Sequence, residues 1–261
     1  MTAGPLRDLL TLVAGLATGV MSGIFGVGGA VLSTPAIRAL GCSAALAVGT
    51  TLPSIFPSAA TGFVRYRRRE LIDWSVVVRS VPGGAVASVL GAVLAHVLPG
   101  DGHPIMIVTA ALLVVSAASL IREREPAAGD PPQAAPTHPG RRAALVGGAA
   151  GLLSGLLGIG GGVVMVPLFR SQLGMTMRSA IATSLVCVGL LALPGTMTHA
   201  VNRDIDWRFA LWLTVGVLPG ARLGTAIALR TGERRLRIVF GWFLLAIAVY
   251  YGVREGTSLG S

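Results

Sequence analysis

The stretch SGIFGVGGAVLSTP, residues 22–35, decides the fold, because it places a run of glycines inside strongly apolar sequence. It returns 132 residues later (154 − 22) as SGLLGIGGGVVMVP, residues 154–167. Two further pairs follow in the same order: AVGTTL with AIATSL, and IDW with IDW. They stand at 47–52 and 180–185, and at 72–74 and 205–207. The chain is therefore predicted to consist of a duplicated unit.

The composition indicates a membrane protein. Of 261 residues, 53% are hydrophobic and 12% are charged, and long apolar stretches of about 20 residues are typical of transmembrane helices. We therefore predict an all-α integral membrane protein. The apolar segments are 9–39, 43–64, 81–98, 104–121, 143–169, 179–201, 209–229 and 238–253.

The net charge of +10 does not indicate nucleic-acid binding. Every basic residue is Arg, and the arginines stand in short loops between apolar segments, as the positive-inside rule expects of cytoplasmic loops. The only cysteines, Cys42 and Cys187, lie in apolar segments, which argues against a disulfide framework and against a metal site.

Residues 122–142, REREPAAGDPPQAAPTHPGRR, are rich in Pro, Ala and charge and are predicted to be a solvated cytoplasmic linker. They divide the chain into repeat 1, residues 1–121, and repeat 2, residues 143–261. Corresponding loops differ in charge, because RYRRR at 65–69 is strongly basic whereas NRDID at 202–206 is nearly neutral. Opposite loop charges predict inverted repeats.

The number of membrane crossings refines this prediction. The linker and the basic loop 230–237 are both expected in the cytoplasm, yet three apolar segments lie between them. Three single crossings would end on the opposite side of the membrane. The expectations agree if segment 143–169 enters the membrane and returns to the same side as a hairpin that turns at its glycines. Segment 9–39 is then also predicted to be a hairpin. Each half is thus predicted to hold a glycine-broken re-entrant helical hairpin plus three transmembrane helices.

The glycine runs predict a binding site for an anion. If the chain resumes as a helix after each break, the first N–H groups and the helix dipole face the break and favour negative charge. The predicted substrate-binding residues of the two breaks are Gly26, Gly28, Gly29 and Ala30, with Gly158, Gly160, Gly161 and Gly162. A dinucleotide fingerprint is excluded, since no strand precedes the motif and no acidic residue follows about 20 positions on. Glycines at four-residue spacing, such as Gly15, Gly19 and Gly23, are instead expected to permit close helix packing.

Polar residues at matching places complete the predicted site. Thr50 and Thr51 in repeat 1 correspond to Thr183 and Ser184 in repeat 2. Their hydroxyls are candidates for bonding a substrate oxyanion, and the alternative is a bond to the helix carbonyl one turn earlier. Arg222 lies within an apolar segment and either binds the anion or extends to the cytoplasmic face. No Asp or Glu lies deep in an apolar segment, which favours an anion over a cation.

The doubled glycine phrase, the Thr-rich second segment, the Ile-Asp-Trp loop and the basic linker together resemble the sulfite exporter TauE/SafE family over essentially the whole chain. The resemblance implies a bacterial inner-membrane permease for small sulfur-containing anions such as sulfite or sulfonates. It carries the family's glycine positions to 26, 28, 29, 158, 160 and 161. Ala30 departs from the third glycine that many repeats have, so the two walls of the site are expected to be unequal.

The expected mechanism is alternating access, and an anion channel of the same architecture or a transporter of another small organic anion stays open as an alternative. We expect no enzyme activity, catalytic residue, metal or cofactor, because a membrane-embedded enzyme would need clustered His, Asp, Glu or Cys. The expected partners are the anion and membrane lipid, with a homodimer as an option and no nucleic acid.

Overall fold

The computed structural model describes residues 4–39, 42, 44–97, 103–122, 139–157 and 161–258. These residues form helices and no strand, which confirms the all-α prediction for the described part of the chain. The helices are α1 Pro5–Phe25, α2 Ala30–Ala39, α3 Ala44–Arg67, α4 Trp74–Val97, α5 His103–Arg122, α6 Pro139–Leu157, α7 Gly162–Leu173, α8 Met177–Val201, α9 Trp207–Arg230 and α10 Glu233–Ser258.

Four helices in the described ranges are long and apolar enough to cross a membrane. They are Pro5–Phe25, Trp74–Leu94, Met177–Val201 and Trp207–Arg230. Many large apolar side chains on their outer faces are exposed, including Val78, Val86 and Leu211. Apolar surface on this scale suits contact with lipid, and the chain is a membrane protein.

Each long apolar segment that carries the glycine phrase is divided into two helices. The segment 9–39 is interrupted between α1 and α2, and 143–169 between α6 and α7. The other predicted segments each form one helix. At the first interruption Gly26, Gly28 and Gly29 have positive φ, which is open to glycine and costly for other residues.

Two helix pairs make the most extensive contacts in the protein, and each joins one half of the chain to the other. They are α1 with α9 and α4 with α6. A Cβ atom on Gly19 would lie 2.8 Å from the backbone nitrogen of Ala221, and one on Gly23 would lie 2.7 Å from that of Thr225. The contacts advance along both helices together, so α1 and α9 run parallel. This confirms that the spaced glycines of α1 serve close packing.

The α4–α6 pair repeats the arrangement. The glycines Gly147, Gly151 and Gly155 of α6 face Ser80, Gly84 and Ser88 of α4 in that order, so these helices also run parallel. α3 and α8 pack against each other at the centre, and α5 packs against α10. The largest core cluster draws on both halves, with Ile55 of α3 and Leu185 of α8 among its fully buried members.

The predicted linker 122–142 falls mostly outside the described residues. α5 ends at Arg122, and α6 begins at Pro139, so the last four residues assigned to the linker are helical. Pro at the first position suits a helix start, because it has no N–H to leave unpaired.

Candidate functional site

The first glycine break forms a sharp turn at the end of α1. Gly26, Gly28 and Gly29 have φ angles of 69°, 76° and 81°, in the left-handed region that favours glycine. The N–H of Gly26 donates to the carbonyl of Ser22 at 2.8 Å and closes α1. The chain then folds back, because a Cβ on Gly29 would lie 2.5 Å from the Cγ2 of Thr18 and 3.4 Å from the Cβ of Ser22.

The second glycine break lies directly against the first. Gly158 and Gly160 lie outside the described residues, but Gly161 and Gly162 are described and buried. A Cβ on Gly162 would collide with the carbonyl oxygen of Gly26 and would lie 2.6 Å from the Cα of Val27. The start of α7 and the end of α1 are therefore in backbone contact.

The first break passes between matching residues of the two halves. A Cβ on Gly28 would lie 2.5 Å from Val188 Cγ1 and 3.1 Å from Ile55 Cγ2. Ile55 and Val188 lie near the midpoints of α3 and α8 and occupy corresponding places in the two repeats. The break thus crosses the molecule where its halves meet.

Ser184 joins the second half to the first break. Its hydroxyl is fully buried and lies 3.0 Å from the carbonyl oxygen of Gly26 and 3.1 Å from that of Ile181, to both of which it can donate. Thr51, at the corresponding place, bonds the carbonyl of Val48 at 2.9 Å and lies 3.3 Å from the hydroxyl of Thr34 in α2. Both hydroxyls therefore contact their own helix backbone as well as a glycine-broken hairpin.

Thr50 and Thr183 have a different role from their neighbours. The hydroxyl of Thr50 accepts the backbone N–H of Asp206 at 2.9 Å, and that of Thr183 accepts the backbone N–H of Asp73 at 3.0 Å. Each threonine thus bonds the Ile-Asp-Trp loop of the other half. We refer to these two bonds as the loop latches.

The aspartates of the loop latches cap helices. Asp73 Oδ1 accepts the backbone N–H groups of Ser75 and Val76, and Asp206 Oδ1 accepts those of Arg208 and Phe209. Asp is a preferred N-cap residue because its carboxylate pairs N–H groups that the first helical turn leaves without partners. Each latch therefore fixes the start of a long helix, α4 or α9.

Arg222 lies apart from these buried residues. Its side chain is exposed, and its backbone carbonyl accepts a hydrogen bond from Arg65 Nη1 at 3.0 Å. The glycines of α9 that face α1 are Gly216, Gly220 and Gly224. Arg222 stands two residues from the last two, so it points to the opposite side of the helix. The structure does not bring it to the glycine breaks.

Two helices begin at the breaks, so N–H donors lie there beside the carbonyl ends of α1 and α6. α2 begins at Ala30, which is fully buried, and α7 begins at Gly162. The first N–H groups of a helix have no acceptor within it, and the dipole adds partial positive charge at that end. Neutral hydroxyls surround the breaks. Such an arrangement favours an anion.

Three hydroxyls next to the first break were not found from the sequence. Thr18 and Ser22 lie on α1, and Ser58 Oγ of α3 donates to Ser22 Oγ at 2.8 Å. All three are buried. The available signal was the four-residue spacing of Thr18 and Ser22, which puts both on one face of α1 just before the glycines.

The comparison with known families identifies the family of the chain. A family model described as sulfite exporter TauE/SafE matches residues 11–251. The chain belongs to this family. The match spans both glycine breaks and both loop latches, so the whole described site lies within the TauE/SafE region. No solved structure matches the chain.

Relatives of this TauE/SafE protein match nearly all of its length. A probable membrane transporter protein of Xylella fastidiosa is 27% identical, covering 96% of this chain and 97% of its own length. YunE of Bacillus subtilis, also named a probable membrane transporter protein, is 23% identical over 94% and 98% of the two chains. A probable membrane transporter protein of Methanocaldococcus jannaschii is 22% identical over 92% of this chain and 94% of its own length. The chain is therefore a membrane transporter of the TauE/SafE family and not an enzyme.

Proposed function

We propose that this protein is a permease that exports small sulfur-containing anions, such as sulfite, sulfonates or related organosulfur acids. The anion binds where the two glycine breaks meet, and transport proceeds by alternating access. The observation that supports the proposal is the backbone contact of Gly162 with Gly26 and Val27, because it means that the two glycine breaks adjoin.

The polar groups in the interior favour an anion as the substrate. Of the Asp and Glu residues whose burial the structure describes, none is buried, and hydroxyl groups make up most of the buried polar side chains. A cation pathway through a membrane would usually place a carboxylate in the interior. Hydroxyls and helix N-termini can donate hydrogen bonds to the oxygens of sulfite or a sulfonate.

The proposed mechanism requires inverted repeats, and the starting points of the corresponding helices α4 and α9 support them. α9 begins beside Thr50 near the start of α3, whereas α4 begins just after the other end of α3. α1 runs parallel to α9, and α4 runs parallel to α6, as the order of their glycine contacts indicates. Each pair joins a hairpin helix of one half to the fourth helix of the other half. Exchanging the halves turns one pair into the other, which is the relation expected of a pseudo-two-fold axis through the site.

The distribution of arginines supports the proposed orientation. Arg67 ends α3, and Arg68 and Arg69 follow it in the loop that bonds the start of α8 at Ser179 and Thr183. Arg178, at the same start, bonds the carbonyl of Thr231 next to Arg230. The opposite end, around the Thr50 latch, carries fewer arginines, namely Arg7, Arg38, Arg203 and Arg208, together with Asp8 and Asp204. By the positive-inside rule the arginine-rich end faces the cytoplasm, and the protein lies in the inner membrane of a bacterium.

Cysteine labelling tests the orientation of the repeats. In a background without native thiols, Cys42→Ser with Cys187→Ala, single cysteines replace Arg67 and Asp204, which stand in corresponding loops. We expect a membrane-impermeant reagent to label Asp204→Cys in intact cells and Arg67→Cys only after lysis. Labelling of both from the same side would contradict inverted repeats.

The membrane potential is sufficient to drive export. Moving one negative charge outward across an inside-negative membrane releases about 2.3 kcal/mol per 100 mV. Proton coupling is therefore not required by the energetics.

Radiolabelled sulfite flux into proteoliposomes tests the function. We expect flux that saturates and accelerates when unlabelled anion is present on the far side, because a carrier returns faster when loaded. Flux that neither saturates nor responds to counter-anion would indicate a channel of the same architecture. No flux of sulfite, taurine or thiosulfate by folded protein would contradict the proposed substrate class.

A further inference from the structure

The hydroxyl of Thr18 is buried without a hydrogen bond. Thr18 is 2% exposed, and its Oγ1 atom has no partner among the described residues. A buried hydroxyl that lacks a partner destabilises a protein, because it loses its bonds to water and gains none in return. A cost of this kind needs an explanation in the function of the protein.

Other helical threonines solve the same problem locally. Thr11, Thr61, Thr214 and Thr225 each donate to the carbonyl four residues earlier, at 2.7–2.8 Å. This bond is open to threonine throughout a helix. Thr18 does not make it, so its hydroxyl stays available to a ligand.

The position of Thr18 indicates what this ligand is. Thr18 lies against Gly29, the residue that immediately precedes α2, with Cγ2 2.5 Å from the Cβ position of that glycine. α2 is ten residues long, and its first N–H groups have no acceptor within the helix. Ser22, one turn further along α1, accepts its hydrogen bond from Ser58 and so keeps its own proton for another acceptor. The side chain of Thr18, the unpaired N–H groups at the start of α2 and the dipole of that helix therefore lie close together beside Gly29.

The second half lacks this hydroxyl. Gly161 corresponds to Gly29 and contacts Ala150. A Cβ atom added to Gly161 would lie 3.1 Å from the Cβ of Ala150. Ala150 stands at the place that corresponds to Thr18. The wall formed by α1 and α2 therefore carries hydroxyl groups that the wall formed by α6 and α7 lacks: that of Thr18, and those of Ser33 and Thr34, which correspond to Met165 and Val166.

We propose that Thr18 donates a hydrogen bond directly to an oxygen of the transported oxyanion, so that the wall formed by α1 and α2 holds the anion more tightly than the wall formed by α6 and α7. This inference rests on the proposed function, because it assigns a specificity-determining residue to the same site. The two walls then bind the anion with different strength although the chain is duplicated.

Sulfite binding to the purified protein in nanodiscs tests the assignment, with unfolding temperature without ligand as a second measurement. Thr18→Val should weaken sulfite binding by about tenfold or more, as expected when a bond to a charged group is lost. The same variant should keep or raise the unfolding temperature, because an apolar isostere removes an unpaired polar group. Thr18→Ser should bind sulfite as wild type does. Thr225→Val is the control: Thr225 is equally buried but already bonded within its helix, so its replacement should leave sulfite binding unchanged.

The outcomes separate this assignment from the proposed function. If wild type binds sulfite and Thr18→Val binds it equally well, the role of Thr18 is overturned while the permease proposal stands. Weaker binding together with a lower unfolding temperature would assign Thr18 to packing and also overturn it. If wild-type protein binds none of sulfite, thiosulfate and taurine, the proposed function fails and the role of Thr18 fails with it.

Discussion

At one end of the molecule Thr50 holds the loop of Asp206, and at the other end Thr183 holds the loop of Asp73, with nearly equal distances. Beside the glycine breaks the halves differ, since Thr18 contacts Gly29 where Ala150 contacts Gly161. The contacts that join the halves are thus duplicated, whereas the groups that face the proposed anion are not. A duplicated chain can keep its architecture symmetric and let its binding site diverge.

The largest expected effect comes from making the two breaks alike. Ala30 and Gly162 correspond, and Gly162→Ala would give the second half the residue of the first. We expect loss of sulfite flux and a fall of about 1–3 kcal/mol in unfolding free energy, because the new methyl group would collide with Gly26 and Val27. Flux in proteoliposomes and SDS titration in mixed micelles measure these effects.

The reverse exchange is the control. Ala30→Gly removes a methyl group instead of adding one, so it should retain flux. Normal transport by Gly162→Ala would mean that the two breaks are not in contact.

A second prediction compares the packing glycines of the two hairpins. Gly15 and Gly147 correspond, and a Cβ on either would collide with a carbonyl of the partner helix, that of Leu213 or Ser80. Gly15→Ala and Gly147→Ala should each lower the unfolding free energy by roughly 2–3 kcal/mol. Gly148→Ala is a control from the adjacent residue, because nothing lies within 4 Å of a Cβ there. It should stabilise α6 slightly, and an equal loss at Gly147 and Gly148 would rule out a packing effect.

A third prediction concerns the loop latches. Thr50→Val and Thr183→Val each leave the N–H of an aspartate without its acceptor, which should cost about 1–2 kcal/mol. Because the latches lie at opposite ends, the double variant should show the sum within about 0.5 kcal/mol. If Thr50→Val and Thr183→Val lower the unfolding free energy by different amounts in the same SDS titration, the two loop latches would be alike in geometry but not in energy. Thr214→Val, which loses only a bond within its own helix, is the control.

The smallest effect is expected at Arg222. Because this side chain is exposed and directed away from the breaks, Arg222→Gln should change sulfite flux by no more than about twofold. A large loss, with normal expression and unfolding temperature, would place Arg222 in the transport pathway.

The sequence was informative where the glycines are repeated. Gly26, Gly28 and Gly29 could be assigned to a helix break because glycine alone tolerates their φ angles at little cost. The matching places of Thr50 and Thr183 were also evident. Their bonds to the loops were not, because a bond between residues about 110 or 156 positions apart depends on which helices pack together.

Comparing the two repeats reveals residues that occur in both halves and misses those that occur in only one. Thr18 has no hydroxyl counterpart in the second half, so the comparison of repeats passes over it. The side of α9 on which Arg222 lies could have been read from the spacing of Gly220 and Gly224, since residues two positions from a packed face point away from it. The capping role of Asp73 and Asp206 follows from their position just before a helix, a pattern visible in the sequence.

The pairing of hairpin helices with distant partners sets an order of assembly during synthesis. α6 begins 42 residues after α4 ends (139 − 97), whereas α9 begins 182 residues after α1 ends (207 − 25). At about 5–20 residues per second, roughly 10–40 seconds separate the emergence of α1 from that of its partner. The α4–α6 pair therefore completes first, and the glycine face of α1 has no α9 to pack against until α9 has been synthesised.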